Sequence, residues 1–183
     1  MRTLITLIVA ACFSLTAFAQ QSTPRTKPDP ELKKLTVYVG QWRYEGEYKP
    51  GPLGPAGKAT GDATGEMILR GFFLEWRWKE KANTVETEGF EILNYDPMNR
   101  NYASTSYADD GSSSLGAYVF DGNTSTYSGK LIVGGKQYLS RVTEVFAADL
   151  ASFTQKAEIS VDGKTWIPFF EAKFNKAKPA PKK

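Results

Sequence analysis

From Gln41 onward, apolar and polar positions alternate with a period of two, and the alternation is broken at short intervals by glycine, aspartate, asparagine and proline. In "QWRYEGEYK", Trp42, Tyr44 and Tyr48 fall on one face with Gly46, while Arg43, Glu45, Glu47 and Lys49 fall on the other, the signature of a half-buried strand. "PGPLGPAG" then forms a loop. The run 58–70 alternates small and polar residues, with Gly61 and Gly65 on one face, which predicts a bend or the close approach of another backbone. "GFFLEWRWKE" sets Leu74, Trp76 and Trp78 against Glu75, Arg77 and Lys79. Further runs follow at 84–95, 101–108, 113–121, 124–133, 136–147, 151–161 and 164–175, separated by turns such as Asp96-Pro97, Asp110-Gly111 and Gly134-Gly135. Ahead of them the period differs. Asp29 can cap a helix with Pro30 in its first position, Leu32, Leu35 and Val39 at helical spacing, and Gly40 as its stop.

About ten short strands in a hairpin meander, with no crossover helices, predict an all-β fold. Closure into an up-and-down antiparallel barrel removes both sheet edges, so the expectation is a closed barrel of about ten strands with a short N-terminal helix.

Composition adds a frame. "MRTLITLIVAACFSLTAFAQQ" has one basic residue, an apolar run and a small-x-small pair at Ala17 and Ala19, the grammar of a secretory signal. Val9-Ala10-Ala11-Cys12 offers the alternative of a lipid anchor on Cys12, but the apolar run continues past it to Phe18. The expected organisation is a signal peptide over 1–19, a proline-rich linker over 20–29, one barrel domain over 30–176 and a basic tail over 177–183, in a protein exported to the periplasm or beyond. No other segment has the roughly 20 apolar residues of a membrane span.

The net charge of +3 comes from the two ends; between Glu31 and Asn175 stand 16 basic and 19 acidic residues. No basic stripe interleaved with aromatics appears there, so nucleic acid is not an expected partner. The chain holds no histidine and its one cysteine is Cys12. Histidine-based hydrolysis, histidine-bound zinc and thiolate chemistry in the domain are closed, and no metal or cofactor is expected. "GPLGPAGKA" is not a phosphate loop, because Pro52 and Pro55 remove amide donors and Ala59 stands where a hydroxyl is needed.

The helix "PDPELKKLTVYVG", the Gly40-Gln41-Trp42 step, "LRGFFLEWRW" and the hairpin "GFEILNYDPMNRNYASTSYADDG" together resemble a bacterial family of unknown function, the DUF fifteen-seventy-nine family of secreted lipocalin-like barrels. The resemblance implies a calycin-type barrel with the helix near one end, and no agreed activity. It also implies that Gly40 and Trp42 are structural, with the tryptophan closing the barrel base.

Candidate ligand contacts are then the inward aromatics Trp76, Trp78, Tyr138 and Phe170, together with Glu144, whose face it shares with Tyr138, Val142 and Phe146. On the last strand, Trp166, Phe170 and Phe174 are expected on one face and Ile167 and Phe169 on the other, with Pro168 in a bulge and the helix or a partner covering Phe169. The function expected by analogy is binding of a small apolar or amphipathic molecule. The alternatives are an interaction protein with a solid barrel, and an isomerase- or cyclase-type enzyme using an interior carboxylate.

Overall fold

The computed structural model describes residues 27–177. A 3-10 helix, Pro30–Tyr38, leads into ten strands: β1 (Gly40–Tyr48), β2 (Gly57–Ile68), β3 (Phe73–Ala82), β4 (Val85–Asp96), β5 (Asn101–Ala108), β6 (Ser113–Asp121), β7 (Thr124–Val133), β8 (Lys136–Phe146), β9 (Ser152–Ser160) and β10 (Ile167–Lys176). A short 3-10 turn, Leu69–Gly71, joins β2 to β3. Each strand pairs antiparallel with its neighbours in sequence, and β1 also pairs with β10, so the sheet closes into one ten-stranded barrel. The sequence-derived strands lie within a few residues of these bounds because the alternation and the turn residues agree throughout.

The helix is tighter than its sequence suggests. Its buried residues are Leu32, Leu35 and Tyr38, three apart, which is the repeat of a 3-10 helix; Val39 is instead an extended cap. The Asp29 side chain accepts from the Glu31 amide, 3.0 Å. Gly40, at φ 124°, turns the chain out of the helix and into β1. Tyr38, the last helical residue, thereby enters the barrel, where its ring meets Phe146 at 5.3 Å, Trp76 at 5.9 Å and Phe153 at 6.1 Å. This end of the barrel is its floor. A Cβ on Gly65 would lie 2.3 Å from the Tyr38 carbonyl oxygen, so the glycine of β2 is what lets the helix end press against the wall. Gly61 plays a related part, lying under the Tyr44 ring.

Trp42 packs beside this plug. It is 1% exposed, and its indole donates to the Tyr38 carbonyl at 2.8 Å. Phe153 lies 5.1 Å from it, and Phe153 stacks on Phe174 at 4.3 Å. The floor is therefore a dry aromatic layer contributed by the helix, β1, β3 and β8 to β10.

The last strand departs from simple alternation. A register shift between Pro168 and Phe170 reverses the parity before it. Trp166 consequently lies outside the barrel, with the Arg141 guanidinium 4.3 Å above its ring, rather than inside with Phe170 and Phe174. The bulge also brings Phe169 to the barrel mouth beside Phe170. Phe169 is not covered by the helix, which sits at the opposite end.

Outward positions carry most of the charges, in ion pairs such as Arg43–Asp62, Lys79–Glu88 and Arg141–Glu158. No helix among the described residues is long and apolar enough to cross a membrane. The expected signal peptide over 1–19, the Cys12 alternative, most of the linker and all of the tail beyond residue 177 lie outside the described residues.

Candidate functional site

Above the aromatic floor the barrel is hollow. A chamber of about 260 Å³ runs from the floor to the end opposite the helix, where Tyr48, Ser112, Leu131 and Phe169 frame its opening. Trp78, Trp76 and Phe170 line its walls. Small side chains make the space: Ser106, Ser114, Ser140 and Ala157 stand on inward positions where larger residues would fill the barrel. Larger concavities, of about 810, 480 and 360 Å³, lie on the outer wall among charged side chains and are open to solvent. Their lining is mostly charged and polar side chains on the outside of the barrel, whereas the chamber is walled by aromatic rings, and the interior chamber is the better candidate.

Two carboxylates lie where the floor meets the chamber. Glu144 is 3% exposed. Its Oε2 accepts from the Tyr38 hydroxyl and from Ser125 at 2.7 Å, and its Oε1 accepts from the Gln155 amide at 2.9 Å. Burial raises its pKa, and these three donors oppose the rise. Glu144 thus ties the helix end to β7 and β9 across the barrel. Glu91 is the second carboxylate, accepting from the Ser104 hydroxyl. Burial pushes it up to about 7, with the Ser104 and Tyr118 hydroxyls acting against the rise and Glu144 adding to it. A gap of about 40 Å³ separates the two, bounded by Tyr38, Trp76, Tyr118 and Gln155. Glu91 faces this gap and the chamber alike.

A third carboxylate, Glu80, sits near the mouth and accepts from Tyr44 at 2.9 Å and Tyr48 at 2.7 Å. Burial and the adjacent carboxylate raise both tyrosine pKa values well above the ordinary phenol range, so these hydroxyls stay protonated and keep donating. One buried hydroxyl behind the chamber wall is unsatisfied. Tyr127 is 3% exposed and its hydroxyl has no hydrogen-bond partner, while Ser114 beside it is engaged with Ser106 at 2.7 Å. The hydroxyl lies over Gly129, where a Cβ would come within 2.3 Å of it.

The sequence of this barrel matches the profile of DUF1579, a protein family of unknown function, over residues 27–176. The chain belongs to the DUF1579 family. No curated protein matches it. Among solved structures, it is similar to Rv2717c from M. tuberculosis, at 12% identity and a TM-score of 0.61, over 83% of this chain and 100% of that one. It is also similar to the S-type phycobiliprotein lyase CPES from Guillardia theta, at 10% identity and a TM-score of 0.57, over 81% of this chain and 93% of that one. At these identities the likeness shows the barrel fold alone.

Of the residues singled out in the sequence of this DUF1579 member, Trp76, Trp78 and Phe170 meet at the chamber. Glu144 lies beneath it, facing the gap. Tyr138 is buried on the inward face of β8 but is not among the chamber walls. Gly40 and Trp42 are at the floor. Glu80 and Glu91 are additions. Glu80 continues the inward parity of Trp76 and Trp78 and is legible from it. Glu91 is obscured because β4 is apolar on both faces, with Phe90 outside under the Arg77 guanidinium at 5.3 Å and Leu93 inside.

Proposed function

We propose that this DUF1579 barrel is an exported binding protein for a small apolar or amphipathic molecule, which enters at the end opposite the helix. The chamber carries this reading: an aromatic-walled space of about 260 Å³, closed below and open above. An apolar body placed there gains desolvation from Trp78 and Phe170. A solid-barrel interaction protein would have this volume filled. A general-base role for Glu144 is disfavoured by its three donors and its place in the floor, beneath the chamber rather than in its wall.

The test is titration with N-phenyl-1-naphthylamine, a neutral dye whose emission rises in apolar surroundings. The expected result is saturable binding at one site per chain, and loss of that binding in Leu131→Trp, which places an indole across the mouth while thermal unfolding stays cooperative. Absence of saturable binding, or unchanged binding in the folded variant, contradicts the proposal.

A further inference from the structure

We infer that the ligand presents a cationic head, in its simplest form an alkyl amine, to Glu91 and Glu80. The inference rests on the ligand-binding reading above and names its chemical class. It comes from the sign of the charges inside the barrel. The strand registers place three ionisable carboxylates on inward positions, Glu80 on β3, Glu91 on β4 and Glu144 on β8. Among the described residues no lysine or arginine lines the chamber or the gap below it. The basic residues of the walls point outward, where Arg43, Lys79 and Arg141 pair with Asp62, Glu88 and Glu158.

A cavity built for a carboxylate or phosphate places an arginine or lysine against it, or a cluster of backbone amides. Here the ionisable groups inside the barrel are all carboxylates. An anionic head drawn into this space would meet like charge in a low dielectric with no counter-ion. A cationic head meets the reverse. Glu144 is already occupied by three protein donors, but a carboxylate has about four acceptor sites. Glu91 takes Ser104 and has Tyr118 near it, and Glu80 takes Tyr44 and Tyr48, so both keep capacity for a ligand N–H. The walls add to this selectivity. Trp76, Trp78, Tyr48 and Phe170 surround the space between the two carboxylates, and their π-faces favour a cation over an anion.

The experiment is calorimetric titration of the full chain with three probes of equal tail length, octylamine, octan-1-ol and octanoate, at about pH 7.5 in low salt. The expected order is octylamine at least tenfold tighter than octan-1-ol, with octanoate weakest. Glu91→Gln or Glu80→Gln should bring octylamine to within about threefold of octan-1-ol, each variant first shown to be folded by its cooperative melt. Octanoate or octan-1-ol binding as tightly as octylamine overturns the cationic assignment and leaves the chamber reading standing. An octylamine preference that survives in both variants overturns the assignment to these carboxylates. Binding of none of the three overturns this inference and the chamber reading together.

Discussion

Raising the pH from about 5 to about 8 lowers the stability of the folded protein by on the order of 3 kcal/mol, and Glu91→Gln removes most of that loss. The cause is the burial of Glu91 between the chamber and the floor, which raises its pKa from 4.5 to about 7. A raised carboxyl pKa means that the folded state holds a proton which the unfolded chain has released. Its favourable contribution is complete below about pH 4.5 and is lost as the pH rises through about 7. Glu144 is shifted in the same direction and adds to the slope. The carboxylates whose pKa values are lowered, Glu31, Glu88, Asp96, Glu158 and Asp162, act with the opposite sign and only in more acid solution, so they leave this window clear. Urea unfolding at several pH values measures the effect. Stability that is flat or rising between about pH 5 and 8, or an equal slope in Glu91→Gln, contradicts the burial of this carboxyl.

Trp42→Ala is expected to cost about 4 kcal/mol, the range for removing a fully buried large aromatic side chain. The substitution deletes the ring that packs on Phe153 and Trp76, and it leaves the Tyr38 carbonyl without its indole donor. Because that carbonyl belongs to the last residue of the helix, the damage should be directional. Hydrogen exchange should quicken first at Leu35 to Gly40, while the hairpins far from the floor keep their protection. A loss below about 1 kcal/mol, or uniform loss of protection around the barrel, would show that the floor is not organised around Trp42.

Much of this was readable from the chain, and the reasons are physical. In an antiparallel barrel each strand has one dry and one wet face, so charge and aromaticity alternate visibly, as at Trp42 to Lys49. Turn residues marked the hairpins because their backbone geometry demands them. The misreadings share one origin. Parity carries no information across a bulge, and the shift at Pro168 to Phe170 sent Trp166 outward and Phe169 to the mouth. Glu91 was hidden for a related reason: where outer positions such as Phe90 and Ile92 are apolar too, alternation does not tell which face is inside. The character of the helix turned on Tyr38, whose threefold spacing from Leu32 and Leu35 competes with the Val39 spacing of an α-helix. What the sequence had no means of giving was volume. Trp76 and Trp78 on one face fit a filled barrel as well as a hollow one, and only the small residues arriving from β5, β6, β8 and β9 decide between them.

The four tryptophans report on the proposed binding chamber of the upper barrel and on the aromatic floor that separates it from the helix end. Trp78 and Trp76 line the chamber, Trp42 is sealed in the floor, and Trp166 lies on the outer wall against Arg141. Their indole N–H resonances, assigned by single Trp→Phe variants, should be followed by NMR while N-phenyl-1-naphthylamine is titrated in. Trp78 and Trp76 are expected to shift to saturation together while Trp42 and Trp166 stay in place. Movement of Trp166 alone, or saturable dye binding that moves no indole at all, would place the ligand outside the barrel and contradict the proposed chamber.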